Sequence, residues 1–171
     1  MKQFTVLDLL DLDLKEHNAL NLTCVGGRSG LTREIRSPEL NRPGLALNGF
    51  FDKFGDDRIQ IFGRGETAFL QKLQEEGRSE AIEELFRRAI PCVMFTHSLE
   101  PTEDFRRIAE EAQCAILQTD LHSSDFSSRL IRALSNVFAA QETVHGVLVE
   151  VFGIGVLILG SSGVGKSETA L

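Results

Sequence analysis

Residues 91–119, PCVMFTHSLEPTEDFRRIAEEAQCAILQT, decide the fold class. The apolar runs at 91–96 and 115–119 predict two buried strands. Between them, Thr102 can cap a helix whose apolar residues fall on one face. A strand, a short helical crossover and a second strand predict parallel pairing with a right-handed connection. The chain is therefore predicted to form a layered α/β domain with a mainly parallel sheet.

The same alternation extends to both sides of this stretch. Upstream, residues 58–62 predict a strand, 66–73 a short helix, and Ser79 the capped start of a further helix. Downstream, Ser123 or Ser124 opens a helix. That helix would direct six apolar side chains inward, namely Phe126, Leu130, Ile131, Leu134, Val137 and Phe138.

The N-terminal third of the chain is less regular. Thr5 and Asp8 fit a T-x-x-D capping box at the start of a first helix. Short strands are predicted at 22–25 and 31–36, on either side of a glycine-rich turn. Residues 37–55 are dense in Pro, Gly, Asn and Phe, and they predict an ordered loop.

The composition narrows the class of protein. A formal net charge of −7 and a pI near 5.1 disfavour binding to nucleic acids or to a membrane surface. Asp8, Asp11 and Asp13 interrupt the apolar N-terminus, and no small-residue cleavage site follows, so no signal peptide is expected. The widely spaced Cys24, Cys92 and Cys114 predict buried, reduced thiols in a cytoplasmic protein.

A second domain is predicted to begin near the C-terminus. The first domain is placed at 1–135, a linker at 136–143, and the start of an incomplete second domain at 144–171. Within the last range, the apolar segments 145–151 and 156–159 flank a glycine-containing turn and predict an antiparallel pair. This pair leads directly into a glycine-rich segment.

That segment, Gly160-Ser161-Ser162-Gly163-Val164-Gly165-Lys166-Ser167, fits the P-loop pattern G-x-x-x-x-G-K-S/T. The glycines let successive backbone N–H groups converge on phosphate oxygens, and the following helix adds its positive end. Lys166 supplies a flexible positive charge for the terminal phosphates, and the Ser167 hydroxyl suits Mg²⁺. The predicted ligands are ATP and Mg²⁺; a chance match in a Gly- and Ser-rich turn is the alternative.

Histidines add one candidate to this site. His145 is the only histidine near the glycine-rich segment, although a single histidine before a strand is usually capped or solvated. His17, His97 and His122 are scattered along the chain and predict no common site. The acidic pairs, such as Glu83-Glu84, are interpreted as solvated faces of helices or loops.

The stretch TVHGVLVEVFGIGVLILGSSGVGKSETAL at 143–171 closely resembles the bifunctional HPr kinase/phosphorylases of bacteria. Four N-terminal segments resemble them too: TVLDLL at 5–10, NRPGL at 41–45, GFF at 49–51 and RIQ at 58–60. The resemblance covers essentially the whole chain. Its most specific part runs from His145 to Glu168, because a generic P-loop would not reproduce the preceding HGVLV.

The resemblance implies a kinase that uses ATP to phosphorylate a serine of the phosphocarrier protein HPr. It also implies the reverse reaction, in which inorganic phosphate attacks phosphoserine and pyrophosphate is released. It assigns the nucleotide loop to 160–167, the active-site lysine to Lys166, the Mg²⁺-binding serine to Ser167 and the active-site histidine to His145. A cytoplasmic homo-hexamer that regulates the sugar phosphotransferase system and carbon catabolism is implied as well.

The same resemblance places other parts of the active site outside this sequence. The family's general base, its second Mg²⁺ ligand and its HPr-contacting segments would lie beyond Leu171. A general base must be within hydrogen-bond reach of the serine that it deprotonates. We therefore expect the 171-residue chain alone to be inactive.

Two other classes of function stay open at this point. One is a non-catalytic N-terminal module for interaction or assembly that carries a short tail. The other is a different P-loop enzyme, such as a small-molecule kinase, which would not explain the separate α/β domain or the His145 segment. An acidic motif after the P-loop helix would discriminate between the assembly module and the kinase.

Overall fold

The computed structural model describes residues 3–139 and 146–159. The chain divides into two compact units, Met1–Phe138 and Ala139–Leu171. The first contains a five-stranded sheet and the second a two-stranded sheet. The domain and linker bounds drawn from the sequence stay a prediction.

The first unit alternates helices and strands. Its strands are β1 (Thr23–Gly26), β2 (Leu40–Asn41), β3 (Ile59–Phe62), β4 (Cys92–Phe95) and β5 (Ala115–Gln118). Its helices are α1 (Val6–Lys15), α2 (Gly44–Leu47), α3 (Arg64–Glu75), α4 (Glu80–Arg87), α5 (Glu103–Glu111) and α6 (Ser123–Phe138). A 3₁₀ helix spans Arg28–Thr32.

The five strands form a mixed, mostly parallel sheet in the order β1-β5-β4-β3-β2. Strands β2, β3, β4 and β5 run parallel, with Val93 of β4 opposite Gln60 of β3 and Ile116 of β5. Only β1 is antiparallel to its neighbour, β5. The predicted α/β class with a mainly parallel sheet is therefore confirmed.

Helices cover both faces of this sheet. Helices α3, α4 and α5 pack on one face, where the Phe105 ring lies edge-on to Phe95 with centroids 5.5 Å apart. Helices α1 and α6 pack on the other face. Alternate side chains of β4 enter the two layers, Val93 and Phe95 on one side and Cys92 and Met94 on the other. Burial on both faces explains why β4 is an uninterrupted apolar run.

The helix starts follow the predicted caps in part. The Thr5 hydroxyl accepts the Asp8 N–H at 3.2 Å and the Asp8 carboxylate accepts the Thr5 N–H at 2.9 Å, which confirms the capping box. Thr102 accepts a first-turn N–H of α5 at 3.4 Å, as predicted. Ser79 precedes α4, but its hydroxyl donates to Glu83 at 2.8 Å and makes no cap. The predicted Ser79 cap is wrong: the Ser79 backbone is in the αR region (φ −115°, ψ −8°) instead of the extended conformation from which an N-cap side chain reaches the first-turn amides.

The strand predicted at 31–36 is also wrong. The 3₁₀ helix Arg28–Thr32 occupies its first two residues, and Glu34 makes only an isolated bridge to Thr5. The guanidinium of Arg33 donates to two main-chain carbonyls of the first unit, at 2.5 and 2.6 Å. These long-range bonds anchor the segment together with two main-chain hydrogen bonds around the bridge, from the Val6 N–H to the Arg33 carbonyl at 3.0 Å and from the Ile35 N–H to the Phe4 carbonyl at 2.8 Å.

Two further predictions are corrected. Residues 37–55 are not one loop, because they contain β2 and the short helix α2, which buries Leu47. Ile131, predicted to face inward, is 43% exposed, whereas Leu130 and Leu134 are buried. Each step along an α-helix turns by about 100°, so Ile131 falls outside the buried face that Leu130 occupies.

The structure shows the state of the three cysteines and the character of the helices. All three cysteines are free thiols; Cys92 and Cys114 are buried and Cys24 is half-buried. Burial raises the pKa of the Cys114 thiol to about 12. Among the residues that the structure describes, no helix has both the length and the apolar character to cross a membrane.

The described part of the second unit, residues 146–159, is an antiparallel hairpin, as predicted. Strands β6 (Gly146–Val151) and β7 (Ile154–Leu159) pair along their whole length. Phe152 and Gly153 connect them with φ of 52° and 79°. A two-residue turn with two positive φ angles matches the right-handed twist of a hairpin, and glycine adopts such angles readily.

Candidate functional site

The predicted nucleotide loop follows directly from β7 in the chain. Residues 160–167, including Lys166 and Ser167, lie outside the described residues, and so does His145. Their roles therefore stay predictions. The neighbouring residues Gly146 and Leu159 are described, and they are partners in the hairpin.

Apolar cross-strand pairs fix the register of this hairpin. Val147 lies opposite Ile158, and the next two pairs along the strands, Leu148 with Leu157 and Val149 with Val156, are equally apolar. Such cross-strand pairs stabilise a sheet by their side-chain contacts. A slip by one residue would invert the faces of the whole strand, so these pairs also set where Gly146 meets Leu159.

A second group of polar residues lies at the carboxyl ends of β4 and β5. Thr96 and His97 follow β4, while His122 and Ser123 follow β5. The rings of His97 and His122 are nearly perpendicular, with centroids 4.7 Å apart. The Thr96 hydroxyl lies 2.7 Å from the Ser123 hydroxyl and 3.0 Å from Nδ1 of His97. The structure thus joins two histidines that the sequence interpretation treated as scattered.

Main-chain hydrogen bonds hold the two loops together. The N–H of His97 donates to the Leu121 carbonyl, and that of Ser98 donates to the Thr119 carbonyl, both at 2.9 Å. Thr119 is buried and its hydroxyl donates to the Leu20 carbonyl at 2.7 Å. The two imidazoles are therefore carried by loops that are fixed to the end of the sheet.

Arg42 extends this group across the end of β3. Its guanidinium contacts both carboxylate oxygens of Glu66, at 3.1 and 2.9 Å. Burial acts in the opposite direction, but the hydrogen bonds from Arg42 and from backbone N–H groups leave the pKa of Glu66 below its ordinary value. A Cβ at Gly63 would lie 2.8 Å from an Arg42 nitrogen and 2.8 Å from the Ser123 hydroxyl oxygen. Glycine at 63 is what allows these groups to approach.

The electrostatics of His97 reflect these neighbours. Desolvation lowers the pKa of His97, and the positive charges of Arg64, His122 and Arg42 lower it further. We call Arg42, Gly63, Arg64, Thr96, His97, His122 and Ser123 the carboxyl-edge cluster. It concentrates basic groups in a chain whose formal net charge is −7.

A signal for this cluster was present in the sequence. Polar residues follow two predicted strands, at 96–98 and at 120–124. The carboxyl ends of parallel strands meet at one edge of a sheet, so these segments had to become neighbours. His97 and His122 are far apart in the sequence, and only this strand topology shows that they are neighbours.

The described part of the chain offers no metal centre. Within residues 3–139 and 146–159, no group of three or more His, Cys, Asp or Glu side chains could hold a metal ion. The predicted Mg²⁺ ligand, Ser167, lies outside those ranges.

Comparison with protein families assigns both parts of the chain. A model described as HPr Serine kinase N terminus matches residues 11–134. A model described as HPr Serine kinase C-terminal domain matches residues 136–171. The chain belongs to the HPr serine kinase family. The resemblance seen in the sequence is thereby confirmed.

Three relatives illustrate the range of this family. HPr kinase/phosphorylase of Treponema pallidum (strain Nichols) is 55% identical over 163 residues, 95% of this chain and 51% of the relative. Those of Leptospira biflexa and Caldicellulosiruptor bescii are each 45% identical, covering 92% and 89% of this chain and 49% of each relative. The chain spans about half the length of the curated relatives it matches.

One solved structure is also similar. It contains the CBS and DRTGG domains of Clostridium perfringens pyrophosphatase and is 18% identical, with a TM-score of 0.48. The similarity covers 71% of this chain and 45% of that one. A likeness of this size carries no argument about function.

Proposed function

We propose that this chain contributes the N-terminal domain and the nucleotide loop of an enzyme that phosphorylates a serine of HPr with ATP. The same enzyme would catalyse the reverse phosphorolysis: phosphate attacks the phosphoserine phosphorus, the serine oxygen leaves, and pyrophosphate forms. The observation that carries this proposal is 55% identity to an HPr kinase/phosphorylase over 95% of the chain. The activity would serve regulation of the sugar phosphotransferase system and of carbon catabolism.

Residues 160–167 are proposed to bind the nucleotide. Backbone N–H groups of the glycine-rich loop would donate to phosphate oxygens. The Lys166 ammonium would approach the terminal phosphates, and the Ser167 hydroxyl would be a ligand of Mg²⁺. When bound, Mg²⁺ bridges phosphate oxygens and offsets the charge that develops during transfer.

The hairpin register supports a role for His145 near this loop. Gly146 and Leu159 are partners in the antiparallel pair. His145 directly precedes Gly146 in the chain, and Gly160 directly follows Leu159. From there an imidazole could donate to a phosphate oxygen or orient a neighbouring carboxylate.

The working protein is further proposed to be a cytoplasmic homo-hexamer whose substrate protein is HPr. The family resemblance supports the assembly and the substrate. The free thiols of Cys24, Cys92 and Cys114 suit a reducing compartment. Light scattering on a chain of the relatives' length tests the assembly, and a monomer at working concentration would contradict it.

The catalytic test uses residues 1–171 joined to the C-terminal part of the Treponema pallidum relative, here called the extended chain. With ATP and Mg²⁺, the extended chain should phosphorylate HPr on serine. Lys166→Ala should slow transfer by about a hundredfold or more, because it removes a charge that stabilises the transition state. His145→Ala should lower both directions of the reaction by a similar factor.

His17→Ala is the matched histidine control, since His17 is exposed in the first unit. It should leave both activities unchanged. No phosphoserine on HPr with the extended chain would contradict the proposed function. Full activity of Lys166→Ala would overturn the loop assignment alone. The 171-residue chain by itself should transfer no phosphate, and transfer by it would refute the expectation that the general base lies beyond Leu171.

A further inference from the structure

The carboxyl-edge cluster lies where the connections of the sheet change sides. The helices that follow β3 and β4, α3 and α5, pack on one face of the sheet. The helix that follows β5, α6, packs on the opposite face. Neighbouring parallel strands whose following helices diverge in this way open a crevice at their carboxyl ends, and ligands of α/β sheets bind there. His97 and His122 occupy the ends of the two strands that border this crevice.

The charges at this crevice favour an anion. Desolvation lowers the pKa of His97, and the nearby charges of Arg64 and Arg42 lower it further. Arg42 is neutralised by Glu66, at 2.9 Å. Arg64 is exposed, and among the described residues no carboxylate lies within ion-pair distance of it. The Arg64 guanidinium therefore lies beside the two imidazoles without an ion-pair partner among the described residues.

The donors at this crevice suit a tetrahedral oxyanion. Ser123 begins α6, a helix of 16 residues whose first amides have no partner within the helix. The Ser123 hydroxyl and the buried Thr96 hydroxyl lie 2.7 Å apart beside them. Gly63 has no side chain, and a Cβ there would lie 2.8 Å from Ser123. Imidazole, guanidinium, hydroxyl and amide donors thus converge on one edge of the sheet.

We propose that the carboxyl-edge cluster is a binding site for a phosphate dianion, either free or as the terminal phosphate of a small ester. Arg64 supplies positive charge, the imidazoles of His97 and His122 supply N–H donors, and Ser123 with the start of α6 supplies further donors. The site belongs to the first unit and shares no residue with the nucleotide loop at 160–167. It does not depend on the proposed phosphotransfer activity.

The site is tested on the 171-residue chain by following the imidazole C–H resonances of His97 and His122 during titration with inorganic phosphate at neutral pH. Both resonances should shift and saturate together, and the pKa of His97 should rise because a bound dianion favours the imidazolium. Arg64→Ala should weaken phosphate binding about tenfold, as expected for loss of one charge-assisted contact. These resonances report on this crevice alone, so their failure to respond would leave the phosphotransfer proposal intact.

Arg28→Ala is the control of equal charge. Arg28 is exposed and follows β1, whose antiparallel course places it at the amino edge of the parallel strands. It should leave the phosphate affinity unchanged. An equal loss in Arg28→Ala and Arg64→Ala would show attraction by net charge alone and would overturn the site, as would the absence of saturable shifts.

Two further titrations identify the ligand and its pH dependence. If methyl phosphate binds with the same affinity as inorganic phosphate, the ligand is a phosphate ester. If only inorganic phosphate binds, the ligand is the free anion. Both results support the site.

Sulfate stays dianionic through the neutral range, so a change in its affinity with pH comes from the protein. Its affinity should rise as pH falls through the range in which His97 takes up a proton. Arg42 is paired with Glu66, Asp125 in the first turn of α6 is paired with Arg129, and the loop before α6 adds the exposed Asp120. A flat profile would overturn the participation of the histidines.

Discussion

Strands β4 and β7 are similarly apolar but differ in burial. All four residues of β4 are 0% exposed, because helices cover both faces of the five-stranded sheet. In β7, Ile154 is 67% exposed, and among the described strands β7 pairs only with β6. Apolar sequence therefore predicts a strand in both units, but burial depends on what packs against its two faces.

Replacing an aromatic residue by alanine should give the largest difference in stability loss between the two units. Phe105 contacts the rings of Phe62, Phe86 and Phe95, with centroids 5.1 to 5.5 Å apart. Phe105→Ala should lower the free energy of unfolding by about 3–5 kcal/mol, measured by urea denaturation, because it leaves a cavity in the core. Phe152 in the hairpin turn is 100% exposed, and Phe152→Ala should change stability by less than about 0.5 kcal/mol. Equal losses would remove the distinction between the units.

Replacing a polar residue should also cost more stability in the first unit than in the hairpin, but the difference should be smaller. The Arg33 guanidinium donates to the carbonyls of Ile90 and Ala112 at 2.6 and 2.5 Å. Arg33→Ala should destabilise the protein by about 1–3 kcal/mol, since both acceptors lose a charged donor. Glu150→Ala, at an exposed position of β6, should stay within about 0.5 kcal/mol in the same urea titration. No loss for Arg33→Ala would show that water replaces the guanidinium without cost.

Helix caps within the first unit offer a finer comparison. Thr5 caps α1, whereas the Ser79 side chain bonds Glu83 and does not cap α4. Thr5→Ala should cost about 1 kcal/mol, a typical value for a lost N-cap. Ser79→Ala should cost less, and thermal unfolding of both variants compares them. If Ser79→Ala proved the more destabilising of the two, the geometry assigned to these helix starts would be wrong.

These contrasts also show what the sequence could predict. Parallel strands β3, β4 and β5 are buried on both faces, and their mainly apolar sequences reveal them, although Gln60 interrupts β3 and Gln118 ends β5. The 3₁₀ helix at Arg28–Thr32 was missed because bonds of Arg33 to distant carbonyls, rather than local pattern, hold the segment that follows it.

The two candidate sites also differ in how far the sequence alone predicts them. The nucleotide loop at 160–167 is a contiguous motif, so sequence alone proposes it. The pair His97 and His122 is assembled from two loops, and only the strand order brings their rings within 4.7 Å. A site built by topology cannot be found by reading neighbouring residues.

The smallest expected effect is the pH dependence that His97 contributes. Because the pKa of His97 is lowered in the folded protein, the unfolded chain binds more protons just below the ordinary value of about 6.5. Stability from this group is therefore present above that pH and declines as pH falls through the range between the two pKa values. His97→Gln should flatten the decline in unfolding free energy, and His17→Gln should not. An unchanged slope in His97→Gln would contradict the assignment.

Binding of nucleotide by the extended chain tests the central claim most directly, and isothermal titration calorimetry with ATP measures it. The glycine-rich loop at 160–167 predicts saturable binding that requires Mg²⁺ and is lost in Lys166→Ala. Heat of binding that is absent with Mg²⁺ present, or unchanged by Lys166→Ala, would contradict a nucleotide site in this loop.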